Sequence, residues 1–496
     1  MKKLLPVLFL AAIGFVPGLK AQTYTNTAYL SATMDYPVAF DIAPDGRFFC
    51  TQKGGNFLPT IDAQIKVYNA SGTYIGVFYD LTDSVNADFE RGLLGICLDP
   101  DFTNNHYVYV YYNYNSDSQN GTGDERIRIT RFTEVNNVGT APMNIFDLDV
   151  SNSIAGNHVG GNLHFRPSDP NNIYFTIGDL AYQQSNPTLN YANKLTNPYG
   201  KHLRIGKSGL NVVPTDNPFY DDGNPLATNC DWIWSYGHRN PFDFTFSTVS
   251  DSLYSSENGL NTWDEMNMVH KGSFYGWANC EGNYVNGSTT TPCGEPNDVL
   301  PIEDWGSPLP ALTGILYYSS QVMPEFDNHV LVADNDYGRI YDITLGNSPV
   351  YDQFISRVTW MDVVTPGGLT TLKQGSDGCV YAMKGGYTTT GQIHRICPQG
   401  LYTEDNNLVF NELKVSPNPA SGEFELTYSI SRNAKVTGQL FDITGRKVAD
   451  LFSSEQRTGA QRMTFNSQTL GLTAGAYICT LQGEGISSTV KLLIAE

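Results

Sequence analysis

Pro167-Ser168-Asp169-Pro170 followed by Asn172-Ile173-Tyr174-Phe175-Thr176-Ile177 is a turn with an aspartate that runs into a β-branched and aromatic strand. Proline presets the backbone of such a turn and the aspartate satisfies local N–H groups. Isoleucine, tyrosine and phenylalanine suit a pleated, half-buried surface. The same unit recurs. Pro44-Asp45-Gly46 precedes Arg47-Phe48-Phe49-Cys50, and Asp99-Pro100-Asp101 precedes His106-Tyr107-Val108-Tyr109-Val110-Tyr111-Tyr112. Ser376-Asp377-Gly378 opens another copy. Loose recurrence of this kind, from Tyr24 to about Cys397, predicts the blades of a β-propeller. The units are degenerate and longer than the commonest propeller repeats, so periodicity alone does not set the blade number.

Composition agrees. Only 16% of the 496 residues are charged while 12% are aromatic and 47 are glycine, a mix that favours short strands and tight turns over long charged helices. The formal net charge of −20 repels phosphate backbones and excludes nucleic acid as the expected partner.

Both ends carry addressing signals. Lys2 and Lys3 precede an apolar run from Leu4 to Leu19, and Leu19-Lys20-Ala21 before Gln22 forms a cleavage site, so residues 1–21 read as a secretory signal peptide. The run is short for a span and holds Pro6 and Pro17, which argues against a membrane anchor. No later segment is long enough to cross a bilayer. Eight cysteines without a C-x-x-C pair suit an oxidising compartment and argue against zinc or thioredoxin-like chemistry. Three pairings are expected, Cys280 with Cys293, Cys379 with Cys397 and Cys50 with Cys97, and Cys479 stands apart.

Composition shifts near residue 400. Residues 401–411 read as a polar linker between a propeller at 24–400 and a tail at 412–496. The tail holds alternating runs such as Phe424-Glu425-Leu426-Thr427-Tyr428 and Ala476-Tyr477-Ile478-Cys479-Thr480-Leu481, which predict a small Ig-like β-sandwich. Val415-Ser416-Pro417-Asn418-Pro419, Phe441-Asp442-Ile443-Thr444-Gly445-Arg446 and Gly475-Ala476-Tyr477 occur there in order. Together they resemble the C-terminal sorting domain of type IX secretion cargo. The resemblance implies the type IX machinery as a partner and a secreted or cell-surface location. The alternative is an accessory binding sandwich.

Four segments of the central region concentrate polar groups in turns. They are Glu90-Arg91-Gly92-Leu93-Leu94-Gly95, and Asn157-His158-Val159-Gly160-Gly161-Asn162 running to Gly178-Asp179. Tyr236-Gly237-His238-Arg239-Asn240-Pro241-Phe242 is the third, and Ser256-Glu257-Asn258-Gly259-Leu260-Asn261 with Asp264-Glu265-Met266-Asn267 and Tyr275-Gly276-Trp277 is the fourth. These residues supply parts for acid–base work on an alcohol. His158 beside two glycines can take a hydroxyl proton near neutral pH. Asp179 can orient it, and Arg239 can meet a developing anion with a planar fork of donors. Carbonyls of the Gly259 turn can hold Ca²⁺. Each also has a plainer reading: a structural histidine, a loop-locking arginine, a solvated acidic face.

The order of the segments is what carries meaning. It resembles the glucose/sorbosone dehydrogenase family, the soluble pyrroloquinoline-quinone sugar dehydrogenases and their aldose dehydrogenase relatives, over roughly residues 35 to 397. The resemblance implies a six-bladed propeller and a quinone-dependent oxidoreductase acting on the anomeric hydroxyl of an aldose or oligosaccharide. It makes His158 the base, Asp179 its support, Arg239 the arginine over the reacting carbonyl, and Glu90 a group near substrate. It gives Asn240 and Asn258 contacts to the quinone. Gly259 and Leu260 fall where backbone carbonyls hold the cofactor's Ca²⁺, although the family often has proline at the second position. The family's late cationic contacts have no clear match; Lys373, Lys384 and Arg395 stand at roughly the right places. An external electron acceptor is implied as well. The alternative is a non-catalytic surface propeller that binds glycans or proteins. Hydrolysis finds no support, since the chain has no G-x-S-x-G elbow and no evident carboxylate pair.

Overall fold

The computed structural model describes residues 22–55, 61–116, 124–150, 156–294, 298–386, 390–399, 410–430, 434–457, 459–483 and 486–495. The expected signal peptide at 1–21 and most of the expected linker, 401–409, lie outside them. The chain divides into two compact units, residues 1–398 and 399–496.

The first unit is built from consecutive antiparallel sheets, four-stranded except for the last, to which the short strand Met34–Asp35 adds a fifth. The first sheet comprises Pro37–Ile42, Phe48–Gln52, Gln64–Tyr68 and Tyr74–Asp80, and the second Leu93–Leu98, Tyr107–Asn115, Glu125–Val135 and Val138–Asp149. The third holds Leu163–Arg166, Asp169–Ile177, Lys201–Gly206 and Ile233–Tyr236, and the fourth Pro241–Phe246, Leu253–Glu257, Trp263–Val269 and Glu303–Gly306. The fifth is Leu312–Tyr317, Val330–Asp334, Arg339–Gly346 and Gln353–Asp362. In the last sheet, Leu369–Gln374, Val380–Lys384 and Thr390–Pro398 are completed by the N-terminal strand Tyr24–Ala28, with Tyr24 opposite Pro398. The first strand of each sheet touches the first strand of the next, and that of the last returns to that of the first. The arrangement is all-β and propeller-like. The junctions between sheets therefore converge on one axis.

The recurrent turn has a physical role. Asp169 Oδ2 accepts from the Tyr174 hydroxyl at 3.1 Å, Asp377 Oδ2 from Tyr381 at 3.0 Å and Asp99 Oδ2 from Tyr109 at 3.0 Å. Each carboxylate ties the turn to a tyrosine on the strand it introduces. The apolar core lies between sheets, with Phe49, Ile65 and Val108 in one layer and Tyr111, Ile129 and Phe175 in the next.

Two expected disulfides form, Cys280–Cys293 and Cys379–Cys397. The third does not: Cys50 and Cys97 are separate buried thiols. Strand side chains alternate between sheet faces. Phe49 faces the second sheet, so Cys50 points the other way and packs with Cys379 and Cys397, while Cys97 packs toward the third sheet. Cys479 is an unpaired buried thiol, as expected.

The second unit holds a sheet of Phe410–Ser416, Glu423–Ile430 and Gly459–Asn466, and another of Lys447–Gln456, Ala434–Asp442, Gly475–Gly483 and Ile486–Ile494. Phe424, Leu426 and Tyr428 of the first share a core with Val436, Leu440 and Leu481 of the second. The strict alternation in Glu423–Ile430, every second residue buried, is the signature of a strand with one face on that core.

Candidate active site

His158 lies in the turn before Leu163–Arg166, Asp179 just after Asp169–Ile177, and Arg239 at the junction of the third and fourth sheets. The backbone packs these segments tightly. A side chain at Gly178 would come within 2.3 Å of the His158 carbonyl oxygen and 2.9 Å of that of Arg239. Asp179 N–H donates to the Arg239 carbonyl at 2.7 Å. Glycine at 178 thus allows three distant stretches to meet.

His158 Nδ1 lies 2.7 Å from Asp179 Oδ1, and both side chains are buried. Asp179 is fixed in turn: Oδ2 accepts from Trp277 Nε1 at 2.7 Å and from Asn190 Nδ2 at 3.0 Å, and Oδ1 from the Ala181 N–H at 2.8 Å. The proton of the imidazole is therefore held on Nδ1 and Nε2 is the basic nitrogen. Glu90 Oε2 accepts the His158 N–H at 2.6 Å, which ties the turn before the second sheet to the turn that carries His158.

Arg239 is buried with its guanidinium carbon 5.6 Å from the Trp277 ring centroid. Its Nε donates to Gln184 Oε1 and its Nη1 to the Asn258 carbonyl, both at 2.9 Å. Its backbone N–H donates to Glu257 Oε1. Burial lowers its pKa from the ordinary value, and Asp179, Glu90, Glu281 and Glu257 oppose that loss. Burial pushes Asp264 up to about 6 and raises Glu257 and Glu265 as well.

A cavity of about 190 Å³ is lined among others by Glu90, Asn162, Asn240, Asn258 and Lys53; His158, Asp179 and Arg239 do not line it themselves and reach it through their neighbours Glu90, Asn240 and Asn258. Glu90, Asn240 and Asn258 thus converge on one space. Lys373, Lys384 and Arg395 do not line it. Lys373 Nζ lies 3.4 Å from His164 Nδ1 and 4.0 Å from Asp41 Oδ1, and His164 Nε2 lies 3.0 Å from Asp243 Oδ1. Arg395 Nη2 pairs with Asp377 Oδ2 at 2.6 Å, at the turn of its own sheet. Lys384 stands opposite Leu369 on its strand.

Sequence reasoning did not single out Lys53, Gln184, Asn190 or Glu281. Lys53 is buried in the cavity wall, donates to the Ala87 carbonyl at 2.6 Å, and is pushed down to about 8 by burial. Its signal was the pair Gly54-Gly55 beside a lone lysine, the same pattern that drew notice to His158. Gln184 and Asn190 sit in a Pro- and Asn-rich loop with no pattern to mark them.

The residues fit a bound cation and quinone on two observations. Among the described residues, no backbone N–H reaches the carbonyls of Gly259 or Leu260. Asn240 Oδ1, at the cavity wall, is buried with no hydrogen-bond partner among the described residues.

Comparison with known proteins agrees with the fold. Quinoprotein glucose dehydrogenase B of Acinetobacter calcoaceticus is 32% identical over 278 residues, 53% of this chain and 54% of that protein. The aldose sugar dehydrogenase YliI of Escherichia coli K12 is 24% identical over 392 residues, 76% of this chain and 94% of that protein. The crystal structure of the soluble E. coli aldose sugar dehydrogenase in its apo-form superposes with a TM-score of 0.62 at 20% identity, covering 76% of this chain and all of that one. The PQQ-bound aldose sugar dehydrogenase of Streptomyces coelicolor gives 0.54 at 21% identity, with 76% and 100% covered. At such identities the likeness shows a shared fold. Residues 414–495 match the secretion system C-terminal sorting domain. Residues 34–395 match the sequence model of the glucose/sorbosone dehydrogenases, and the chain belongs to that family.

Proposed function

We propose that this protein is an exported, quinone-dependent sugar dehydrogenase that oxidises the anomeric hydroxyl of an aldose or oligosaccharide. The observation that carries the reading is the His158–Asp179 pair, 2.7 Å apart, beside the buried Arg239 at a cavity edged by Glu90. His158 Nε2 takes the substrate hydroxyl proton, and Asp179 stabilises the imidazolium that results. Arg239 turns donors toward negative charge that develops in the cavity, and Trp277 excludes water from its face. Glu90 fixes the His158 backbone and offers its carboxylate to the sugar. Asn240 and Asn258 are the contacts to pyrroloquinoline quinone, and the Gly259 and Leu260 carbonyls hold Ca²⁺. When bound, the quinone supplies a two-electron acceptor that an external acceptor reoxidises, and Ca²⁺ supplies a Lewis acid.

The remaining assignments follow. The sheets of residues 24–400 are the six blades of a propeller, supported by the ring of first strands. Residues 1–21 are a signal peptide and 401–411 a linker. Residues 412–496 are an Ig-like sandwich read by the type IX machinery, which leaves the protein secreted or attached to the cell surface. Mixing the purified chain with Ca²⁺, the quinone, an artificial acceptor and a panel of aldoses tests the reading. Aldose-dependent dye reduction is expected; absence of quinone binding at micromolar concentration would overturn it.

One observation favours the second reading, a glycan- or protein-binding propeller: Lys373 and Arg395 are engaged elsewhere and do not face the cavity. Glycan-array binding that persists in His158→Ala without quinone is the outcome that reading requires.

A further inference from the structure

Gly259 and Leu260 belong to a turn whose N–H groups are collected by carboxylates. Gly259 N–H donates to Asp264 Oδ1 at 2.9 Å. The next four N–H groups, of Leu260, Asn261, Thr262 and Trp263, all point at one atom, Glu281 Oε1, at 2.7, 2.9, 2.8 and 3.2 Å. Glu281 is 1% exposed, and among the described residues its Oε2 has no hydrogen-bond partner, so Oε1 carries the hydrogen bonding of this carboxylate. Gly259 allows the approach, because a side chain there would meet Glu281 Oε1 at 2.7 Å and the Trp263 carbonyl oxygen at 1.8 Å.

In a planar trans peptide the C=O points opposite to the N–H. The peptide that turns the Leu260 N–H to Glu281 therefore turns the Gly259 carbonyl away from it, and the Asn261 N–H does the same for the Leu260 carbonyl. The preceding peptide shows where that leads. Its N–H, on Gly259, points at Asp264, and its carbonyl, on Asn258, meets Arg239 Nη1 at 2.9 Å. Glu281 thus holds the Gly259 and Leu260 carbonyls turned away from its own Oε1, next to the Asn258 carbonyl that meets Arg239.

Glu281 is anchored by its neighbour. Cys280 is bonded to Cys293, and Cys280–Glu281 pairs in a short hairpin with Tyr284–Val285. The disulfide closes the loop that carries the carboxylate.

We propose that Glu281, held by the Cys280–Cys293 disulfide, is a positioning residue that aims the Gly259 and Leu260 carbonyls at the cation of this site. The inference rests on the functional reading above, which makes those two carbonyls Ca²⁺ ligands. Outer partners that orient metal ligands are typically worth about 10–100-fold in metal affinity. Loss of Glu281 should therefore raise the Ca²⁺ concentration needed for half-maximal quinone binding without changing KM for sugar at saturating Ca²⁺. A residue that merely supports the fold would not separate these two quantities.

The test is Ca²⁺ titration of the full chain with quinone, followed by quinone absorbance and by calorimetry, for the wild type, Glu281→Ala, Glu281→Gln and Cys293→Ser. We expect Glu281→Ala to shift half-saturation upward by about 10–100-fold. Glu281→Gln, which keeps the volume and one acceptor oxygen, should shift it less, and Cys293→Ser should move it the same way. If Glu281→Ala does not fold, Glu281→Gln decides: an upward shift supports the proposal and an unchanged titration overturns it. Folded Glu281→Ala that titrates like the wild type sinks the inference and leaves the functional reading standing. Wild-type protein that binds neither Ca²⁺ nor quinone sinks that reading, and this inference with it.

Discussion

His158 and His329 make the same bond in two places. Each Nδ1 lies 2.7 Å from an aspartate Oδ1, of Asp179 at the end of the third sheet's second strand and of Asp342 in the fifth sheet. The side chains of the first pair are 8% and 0% exposed and those of the second 20% and 15%. Asp179 takes three further hydrogen bonds, and Glu90, Trp277 and Arg239 close around the pair. His329 instead caps the strand Val330–Asp334, its N–H donating to the Phe326 carbonyl and its carbonyl accepting from Tyr318. The contrast teaches that a histidine–aspartate bond is a general device for holding strands. It becomes a candidate base only where third groups fix the aspartate and a cavity adjoins.

The sharpest way to break this contrast is to remove each imidazole. His158→Ala should lower kcat/KM for the preferred aldose by about 10²–10⁴-fold, the span of general-base loss. His329→Ala should leave dye reduction unchanged, its effect confined to stability in urea unfolding. Equal losses of rate would erase the distinction.

Arg239→Ala should follow, with kcat down by about 10²–10³-fold, as for removal of a donor from a developing anion. Arg395→Ala, which removes the pair with Asp377 and the bond to the Tyr381 hydroxyl, should change neither turnover nor quinone affinity. Quinone absorbance titrations of the two variants compare them directly, and weaker binding in Arg395→Ala would return that residue to the cofactor.

A smaller effect concerns stability. Lys201 is buried beneath the loop that carries Asn190, and its Nζ donates to the Tyr191, Ala192 and Tyr199 carbonyls at 3.2, 2.8 and 2.6 Å. Burial pushes it down to about 7 from an ordinary 10.5. Between those values the unfolded chain binds more protons than the folded one, so Lys201 makes stability rise with pH across that window. Lys201→Met should flatten the rise relative to wild type in unfolding experiments at pH 7 and pH 10. A parallel pH dependence in both proteins would show that the ammonium is not lost there.

The readable parts were local. The turn aspartates announced their strands because Asp169 and Asp377 bond tyrosines only five and four residues on. Cys280 and Cys293 close a short loop and Cys379 and Cys397 flank one hairpin, so both pairs could be seen. Cys50 with Cys97 failed because neighbouring strands of a ring bury opposite faces in different layers. Lys373 and Arg395 were chosen by position along the chain, and their nearest opposite charges, Asp41 and Asp377, could not be seen that way. Gln184 and Glu281 carried no motif at all, since each acts on a segment far along the chain: Gln184 on Arg239, and Glu281 on the turn at residues 260–263.

By itself, the sequence determined the all-β class, the division near residue 400, the two short-range disulfides and the order of polar turns that marks the family. Those features depend on alternation, turn chemistry and motif order, which act within one strand pair or are simply read along the chain. Only the tertiary structure decided which polar groups share a space. The junctions of successive sheets converge on one axis, so residues from positions 53, 90, 240 and 258 line one cavity while cations near the end of the same unit do not. The physical reason is that side-chain neighbours across sheets are set by packing between layers, and the alternation of a single strand cannot specify which layer it will face.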